Sequence, residues 1–409
     1  MSLGKLQETP EILQPQIKNE VLRGIKDHTI GPEWARVLIV DPGEYRASSS
    51  IGMMAAMVEA GIEPTDFDHI IFASSGSFAG MGFALGRMPN MVKYCEDHGP
   101  SETISFPTLT ASVVPNVLNA INSIDAIPAS IRKLVWRFSS RITRLLEKSV
   151  GKKIENILQV EDLLSGVLTG EKLQKPEDWY KKPVLPKDYH NPRPDGRKNP
   201  VIHVVTTTTW EHPESRYIRS DTATPEEFQK ALAATLTIPR WSEPIRKVGE
   251  EELIDGYFSD PVMYDYARTL WGAHIVKLGN HNGPHLVPES SEKAISYWLD
   301  KFPFLAKFYA KKRPHDIHQQ MQRMYDDEKK WTVKILFAEP LPDAFENPLL
   351  TGRKKLFYEN ILTGLQAMRS MLLDEKYTLP ELRTVKEKTL FETLDELLEA
   401  LYTIYSIGK

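Results

Sequence analysis

A chain of 409 residues, 41% hydrophobic and 26% charged, has the composition of an ordinary globular protein and can bury a sizeable core without covalent staples. Its net charge of -4 is too small to imply a nucleic-acid partner. The single cysteine, Cys95, excludes an intramolecular disulfide and suits a reducing compartment.

No run approaches the roughly 20 apolar residues that span a bilayer. The polar opening segment holds no apolar core of a signal peptide. The expectation is a cytoplasmic protein, and a protein exported by a signal-independent route would look the same. Residues 1 to about 35 read as a polar lead-in with a short helix. Arg36-Val37-Leu38-Ile39-Val40 is then an apolar run of the kind that makes a buried strand. Asp41-Pro42-Gly43 breaks it, and a helix follows with Ile51, Met54, Ala55 and Val58 on one face and Gly61 as its stop. A second buried strand, Ile70-Ile71-Phe72-Ala73, runs straight into Ser74-Ser75-Gly76-Ser77 and a small-residue helix. Strand, sharp turn and helix, twice over, predict a parallel sheet with crossover helices.

Residues 100 to 200 are polar and proline-containing, and Pro183 to Pro200 reads as an exposed loop. Strand patterns resume at 201–205, 273–278 and 332–337, and Thr206 to Thr209 continue the first of these with β-branched residues. Leu390, Leu394, Leu397, Leu398, Leu401 and Tyr405 form a helical stripe, which fits a helix docked on the core or a self-association surface.

Ser74 stands where a buried strand meets a helix, the place where a nucleophile elbow exposes its hydroxyl. The helix N-terminus behind it favours developing negative charge. Gly76 supplies the small neighbour two residues on, whereas Phe72 occupies the position of the other usual glycine. By itself the segment also fits a serine-rich turn that caps a helix. A second frame, Gly76-Ser77-Phe78-Ala79-Gly80, has the glycine spacing but puts Phe78 at the nucleophile position. Far along the chain, Asp255-Gly256-Tyr257 and Asp260-Pro261 follow Ala234-Thr235-Leu236-Thr237-Ile238-Pro239. An aspartate entering a glycine turn is common.

Taken in order, these segments resemble the bacterial type of the patatin-like phospholipase family from about residue 35 to 370. Asp41-Pro42-Gly43-Glu44-Tyr45-Arg46-Ala47 stands where members carry a glycine-rich loop with a basic residue. Gly61-Ile62, the serine turn, the 234–239 segment and the Asp255 turn follow in family order, and 335–368 resembles the tail. The resemblance implies a patatin-like three-layer α/β/α sandwich with a central, mostly parallel sheet. Residues 36–370 would form that domain, with a helical or lid insertion around 100–200, an N-terminal extension over 1–35 and a helical segment over 371–409.

It further implies a lipid acyl hydrolase without cofactor or metal, acting on a lipid or acyl-ester substrate. Ser74 would be the nucleophile, Asp255 its base, Gly43 and Glu44 the oxyanion-hole donors, and Gly76 and Arg46 the supports of the elbow. The departures are Phe72, Pro42, Glu44 and Tyr257, each at a position the family gives to glycine. Proline has no N–H to donate to an oxyanion. A non-catalytic member that binds lipid or a protein partner is the competing reading, and a thioesterase or peptidase on the same scaffold is a third.

Residues 131–150 combine an apolar face with Arg132, Lys133, Arg137, Arg141, Arg144 and Lys148. That pattern fits a lid helix on an anionic membrane surface, or a core helix with a solvated basic face. His281, His285, His315 and His318 read as surface-loop histidines, and no Gly-rich nucleotide loop follows a strand.

Overall fold

The computed structural model describes residues 17–29, 34–42, 47–93, 160–171, 173–208, 214–237, 245–270, 272–279, 313–328, 333–337 and 354–375. In chain order they form α1 (Glu20–Lys26), β1 (Ala35–Val40), α2 (Ala47–Glu59), β2 (His69–Ala73), α3 (Gly76–Ala84), α4 (Val160–Thr169), β3 (Val201–Thr208), β4 (Ser215–Arg219), α5 (Pro225–Ala234), β5 (Arg246–Val248), β6 (Glu251–Asp255), α6 (Tyr264–Thr269), β7 (Gly272–Gly279), α7 (Arg313–Glu328), β8 (Val333–Phe337) and α8 (Lys354–Leu372).

The strands make one eight-stranded sheet in the order β5-β6-β3-β2-β1-β7-β8, with β4 also paired to β3. The five runs expected as buried strands are β1, β2, β3, β7 and β8, and all five are parallel. Their sequences are mainly apolar, and continuously so over 37–40 in β1, because helices cover both faces. Leu38, Val40, Ile70, Phe72, Ile202 and Val204 point into a core shared with α1 to α5 and α8. Val37, Ile39, Ile71, Ala73 and Val205 point into a second core shared with α6 and α7. The result is the expected three-layer α/β/α sandwich.

Helix α2 differs from the one-faced helix read from its apolar spacing, since Ser48 to Val58 are buried all round. Helix α8 covers the side that would otherwise meet water, and the two helices touch backbone to backbone. A Cβ on Gly52 would lie 1.8 Å from the Ile361 carbonyl oxygen, and one on Gly364 would lie 1.9 Å from that of Ser49. The helix stops as expected at Gly61, whose φ is 74°. Gly61 N–H donates to the Val58 carbonyl and Ile62 N–H to the Met57 carbonyl, both at 2.9 Å, which is the Schellman pattern.

Under β3 runs a polar chain, buried at His203 and half-buried at its ends. His203 Nδ1 meets the Tyr266 hydroxyl at 2.9 Å, and its Nε2 meets His69 Nδ1 at 3.0 Å. Tyr266 stacks on Tyr217 with ring centroids 3.5 Å apart. Burial, helped by the neighbouring His69, pushes the His203 imidazole down to about 3. His69 is lowered too, mainly by burial.

Two outcomes follow from this packing. Gly364→Ala at an exposed helix site would raise stability by up to about 1 kcal/mol. Here its methyl group meets backbone on α2, and a net loss of about 2–3 kcal/mol is expected in urea unfolding. The second outcome concerns pH. Below about pH 6.5 the unfolded chain protonates His203 while the folded chain does not. Stability is therefore full above that pH and falls as the pH drops toward the folded value. The expected slope is on the order of 1 kcal/mol per pH unit for this one group. Urea titrations of His203→Gln at several pH values should show that slope removed.

Candidate functional site

The turn between β2 and α3 is built around one strained residue. Ser74 has φ 52°, a left-handed conformation that costs a non-glycine residue roughly 1–3 kcal/mol and persists only when its surroundings enforce it. The turn is too tight for a side chain at the next-but-one position. A Cβ on Gly76 would lie 2.6 Å from the Asp41 carbonyl oxygen and 2.7 Å from that of Val40. Gly76 therefore lets α3 start directly against the end of β1.

Phe72, the departure at the elbow, is fully buried and faces α3. The space for its ring comes from Gly80, where a Cβ would lie 2.4 Å from the Phe72 ring. The close approach of strand and helix is kept by moving the glycine from strand to helix.

Asp255 reaches the same place because of how β3 is shared. Even-numbered residues of β3 hydrogen-bond toward β4: Thr208 N–H donates to the Glu214 carbonyl at 3.0 Å, and Ile202 accepts from Ser220 N–H at 2.9 Å. Odd-numbered residues turn the other way, as Val201 N–H does to the Asp68 carbonyl at 2.9 Å. On that odd side β2 pairs with Val201 to Val205 in parallel, and β6 pairs with Thr206 to Thr208 in the opposite direction. The two strands meet head-on at Val205/Thr206, with Ser74 just past the end of one and Asp255 ending the other. Ser74 Oγ donates to Asp255 Oδ2 at 2.7 Å.

Asp255 is 2% exposed and held on every side. Its Oδ1 accepts from Tyr257 N–H at 2.8 Å, its carbonyl from the Thr207 hydroxyl at 2.7 Å, and its N–H donates to the Thr237 carbonyl at 3.0 Å. Gly256 is required by space, since a Cβ there would lie 2.2 Å from the Val205 carbonyl oxygen. Position 257 contributes its amide to Asp255, so tyrosine serves where the family motif has glycine. Asp260 acts in support: its Oδ1 accepts from Met263 N–H at 2.8 Å and Gln320 Nε2 at 3.1 Å, and its Oδ2 from the Tyr217 hydroxyl at 2.5 Å.

The turn after α5 grips both residues. Thr235 Oγ1 accepts from Ser74 N–H at 2.8 Å and donates to the Val205 carbonyl at 2.6 Å. Arg246 Nη1 donates to Thr237 Oγ1 at 2.7 Å. The same guanidinium pairs with Glu161 on α4 at 2.8 Å, both side chains being nearly inaccessible. Tyr180 adds its hydroxyl to Glu161 at 2.7 Å. On the opposite side of the elbow, Lys277 bonds the Asp41 carboxylate and the Val262 carbonyl.

The sequence brought Ser74, Gly76 and Asp255 forward, and the structure brings them together. Phe78 lies inside α3, half-buried against the main core, so the alternative frame falls in helix rather than on the turn. Gly43, Glu44, Arg46, residues 131–150, His281, His285 and the 390–405 stripe lie outside the described residues, and His315 and His318, expected in a loop, fall in α7. Thr207, Thr235, Thr237, the Glu161–Arg246 pair and the Asp41–Lys277 pair were not read from the sequence as site residues. The Thr206 to Thr209 run offered only a strand signal, and the ion pairs join positions far apart in the chain. Among the described residues no group of three or more His, Cys, Asp or Glu could hold a metal ion. No helix among them is long and apolar enough to cross a membrane.

The family model described as patatin-like phospholipase matches residues 43–268. Among solved structures, the crystal structure of VipD from Legionella pneumophila is similar at 15% sequence identity, covering 84% of this chain and 68% of that one with a TM-score of 0.37. No curated protein matches the chain.

The exchange between Phe72 and Gly80 has a measurable consequence. Gly80→Ala should lower stability by about 1–3 kcal/mol through overpacking. Adding Phe72→Leu should restore part of that loss, giving a non-additive double-mutant cycle in chemical denaturation.

Proposed function

The chain belongs to the patatin-like phospholipase family, and from that membership and the Ser74–Asp255 hydrogen bond we propose that it hydrolyses acyl esters of lipids through an acyl-serine. The observation that carries the reading is the 2.7 Å contact between Ser74 Oγ and Asp255 Oδ2, within the reach a nucleophile and its base require.

In this mechanism Ser74 Oγ attacks the ester carbonyl carbon while Asp255 Oδ2 takes the hydroxyl proton. The tetrahedral intermediate collapses, the C–O bond to the alcohol breaks, and Asp255 returns the proton to the departing alkoxide. Water then attacks the acyl-serine with Asp255 again accepting a proton. The fatty acid leaves, and Ser74 recovers its hydrogen. Asp255 needs no histidine between itself and the serine, because its Oδ2 already meets the hydroxyl directly while Tyr257 N–H holds Oδ1. The N-terminal end of α3 lies behind Ser74 and favours the negative charge that develops there. Amides of Gly43 and Glu44 complete the oxyanion site in this reading. The basic, amphipathic sequence of 131–150 adds a binding face for an anionic lipid surface.

The test is reaction with a fluorophosphonate probe and hydrolysis of p-nitrophenyl acyl esters. The wild-type chain should be labelled on Ser74. Ser74→Ala should abolish labelling, and both Ser74→Ala and Asp255→Asn should lower kcat by on the order of 10³ or more. Full esterase activity in Ser74→Ala, or absence of labelling in the wild-type chain, would reject the proposal and favour a non-catalytic lipid- or protein-binding role.

A further inference from the structure

The elbow leaves two backbone groups without a strand partner. Parallel pairing of β2 with β3 ends at Ala73 opposite Val205. The next amide, that of Ser74, lies past the end of β2 and donates to a side chain rather than to β3. The Val205 carbonyl faces the same junction, on the side where β2 has ended and β6 begins only at Thr206. A donor and an acceptor are thus left at one buried point, where neither can be wetted cheaply.

A single atom serves both. Thr235 Oγ1 accepts from Ser74 N–H at 2.8 Å and gives its own proton to the Val205 carbonyl at 2.6 Å. Thr235 is fully buried. A hydroxyl is the small side-chain group that accepts and donates through one atom, and a β-branched side chain holds it with little rotamer freedom. The backbone behind it is fixed as well, since Thr235 N–H continues the helical pattern of α5 by donating to the Ala231 carbonyl at 2.8 Å.

We propose that Thr235 is a positioning residue for the nucleophile: its hydroxyl holds the amide of Ser74 in the left-handed turn and so keeps Ser74 Oγ on the Asp255 carboxylate. The inference rests on the catalytic reading of Ser74. Thr235 touches neither substrate nor the reacting oxygen. It acts through the backbone of the residue that does. The Asp255 amide is tied to the same turn through the Thr237 carbonyl, so the turn at 235–237 sets the position of both partners at once.

The experiment compares Thr235→Val, which keeps the shape and removes the hydroxyl, with Thr235→Ser, which keeps the hydroxyl. The second-order rate of fluorophosphonate labelling at Ser74 is measured, and kcat and KM are measured for p-nitrophenyl butyrate. Thr235→Val should lose roughly 10- to 100-fold in kcat and in labelling rate, the scale of a small misplacement of reacting groups, with KM almost unchanged. Thr235→Ser should stay close to wild type. If Thr235→Val proves insoluble, Thr235→Cys takes its place, being similar in size to Thr235→Ser but a poor hydrogen-bonding partner. It should then be clearly slower than Thr235→Ser. Equal rates per folded molecule in the hydroxyl and non-hydroxyl variants, with only the melting temperature lowered, would overturn the positioning role and leave the catalytic reading intact. A wild-type chain that is not labelled on Ser74 would overturn both.

Discussion

The odd-numbered residues of β3 turn their N–H and C=O groups toward one edge, and two strands of opposite direction share that edge. β2 occupies its first half and β6 its second. Neither can run further without colliding with the other, so both must turn away at the junction. The residue that leaves β2 there is Ser74, and the residue that ends β6 is Asp255. Positions 181 apart in sequence therefore meet at hydrogen-bonding distance as a consequence of strand register rather than of loop placement. Because side chains alternate along a strand, a one-residue slip of either partner would turn its terminal side chain to the other face.

That junction crowds the backbone, and the crowding explains where glycine is obligatory and where it is not. Gly76 and Gly256 each face a carbonyl oxygen at a separation no Cβ could occupy. Position 72 carries no such demand, because the volume of Phe72 is accommodated at Gly80 on the facing helix. Position 257 carries none either, because its amide is what Asp255 uses. A family pattern counted glycine by glycine makes this elbow look degraded. Counted by contact, the tight approaches described here are still made.

What was legible in the sequence follows the same division. β1, β2, β3, β7 and β8 were visible because strands of a covered parallel sheet read as mainly apolar, β-branched runs. β4, with the sequence Ser-Arg-Tyr-Ile-Arg and only partly buried residues, shows no such run. The short hairpin of β5 and β6 places Arg246, Lys247, Glu251 and Glu252 in strands, which local pattern does not favour. The pairing of β6 into the edge left by β2 is a long-range choice that no window of sequence contains. Ser74 and Asp255 could be singled out because each sits at a strand end with a glycine one or two residues on. Thr235 could not, because its significance lies in two backbone groups belonging to other segments.

The polar pairs around the junction show what holds it. Taking Glu161 and Arg246 out of water together carries a desolvation penalty that their attraction does not reliably exceed, and apolar side chains of similar volume often give equal or greater stability. The same holds for Asp41 and Lys277, both almost inaccessible. An apolar substitute, however, could not direct a hydrogen bond. Arg246 spends one donor on the Thr237 hydroxyl, in the turn that holds the amides of both Ser74 and Asp255. Lys277 spends one on the Val262 carbonyl while holding Asp41, whose own carbonyl lies against Gly76. Each ion pair thus fixes the backbone on one flank of a strained serine. A left-handed serine relaxes unless its neighbours forbid it, and directed bonds from buried charges forbid it more firmly than packing alone, since a directed bond fixes angle as well as distance.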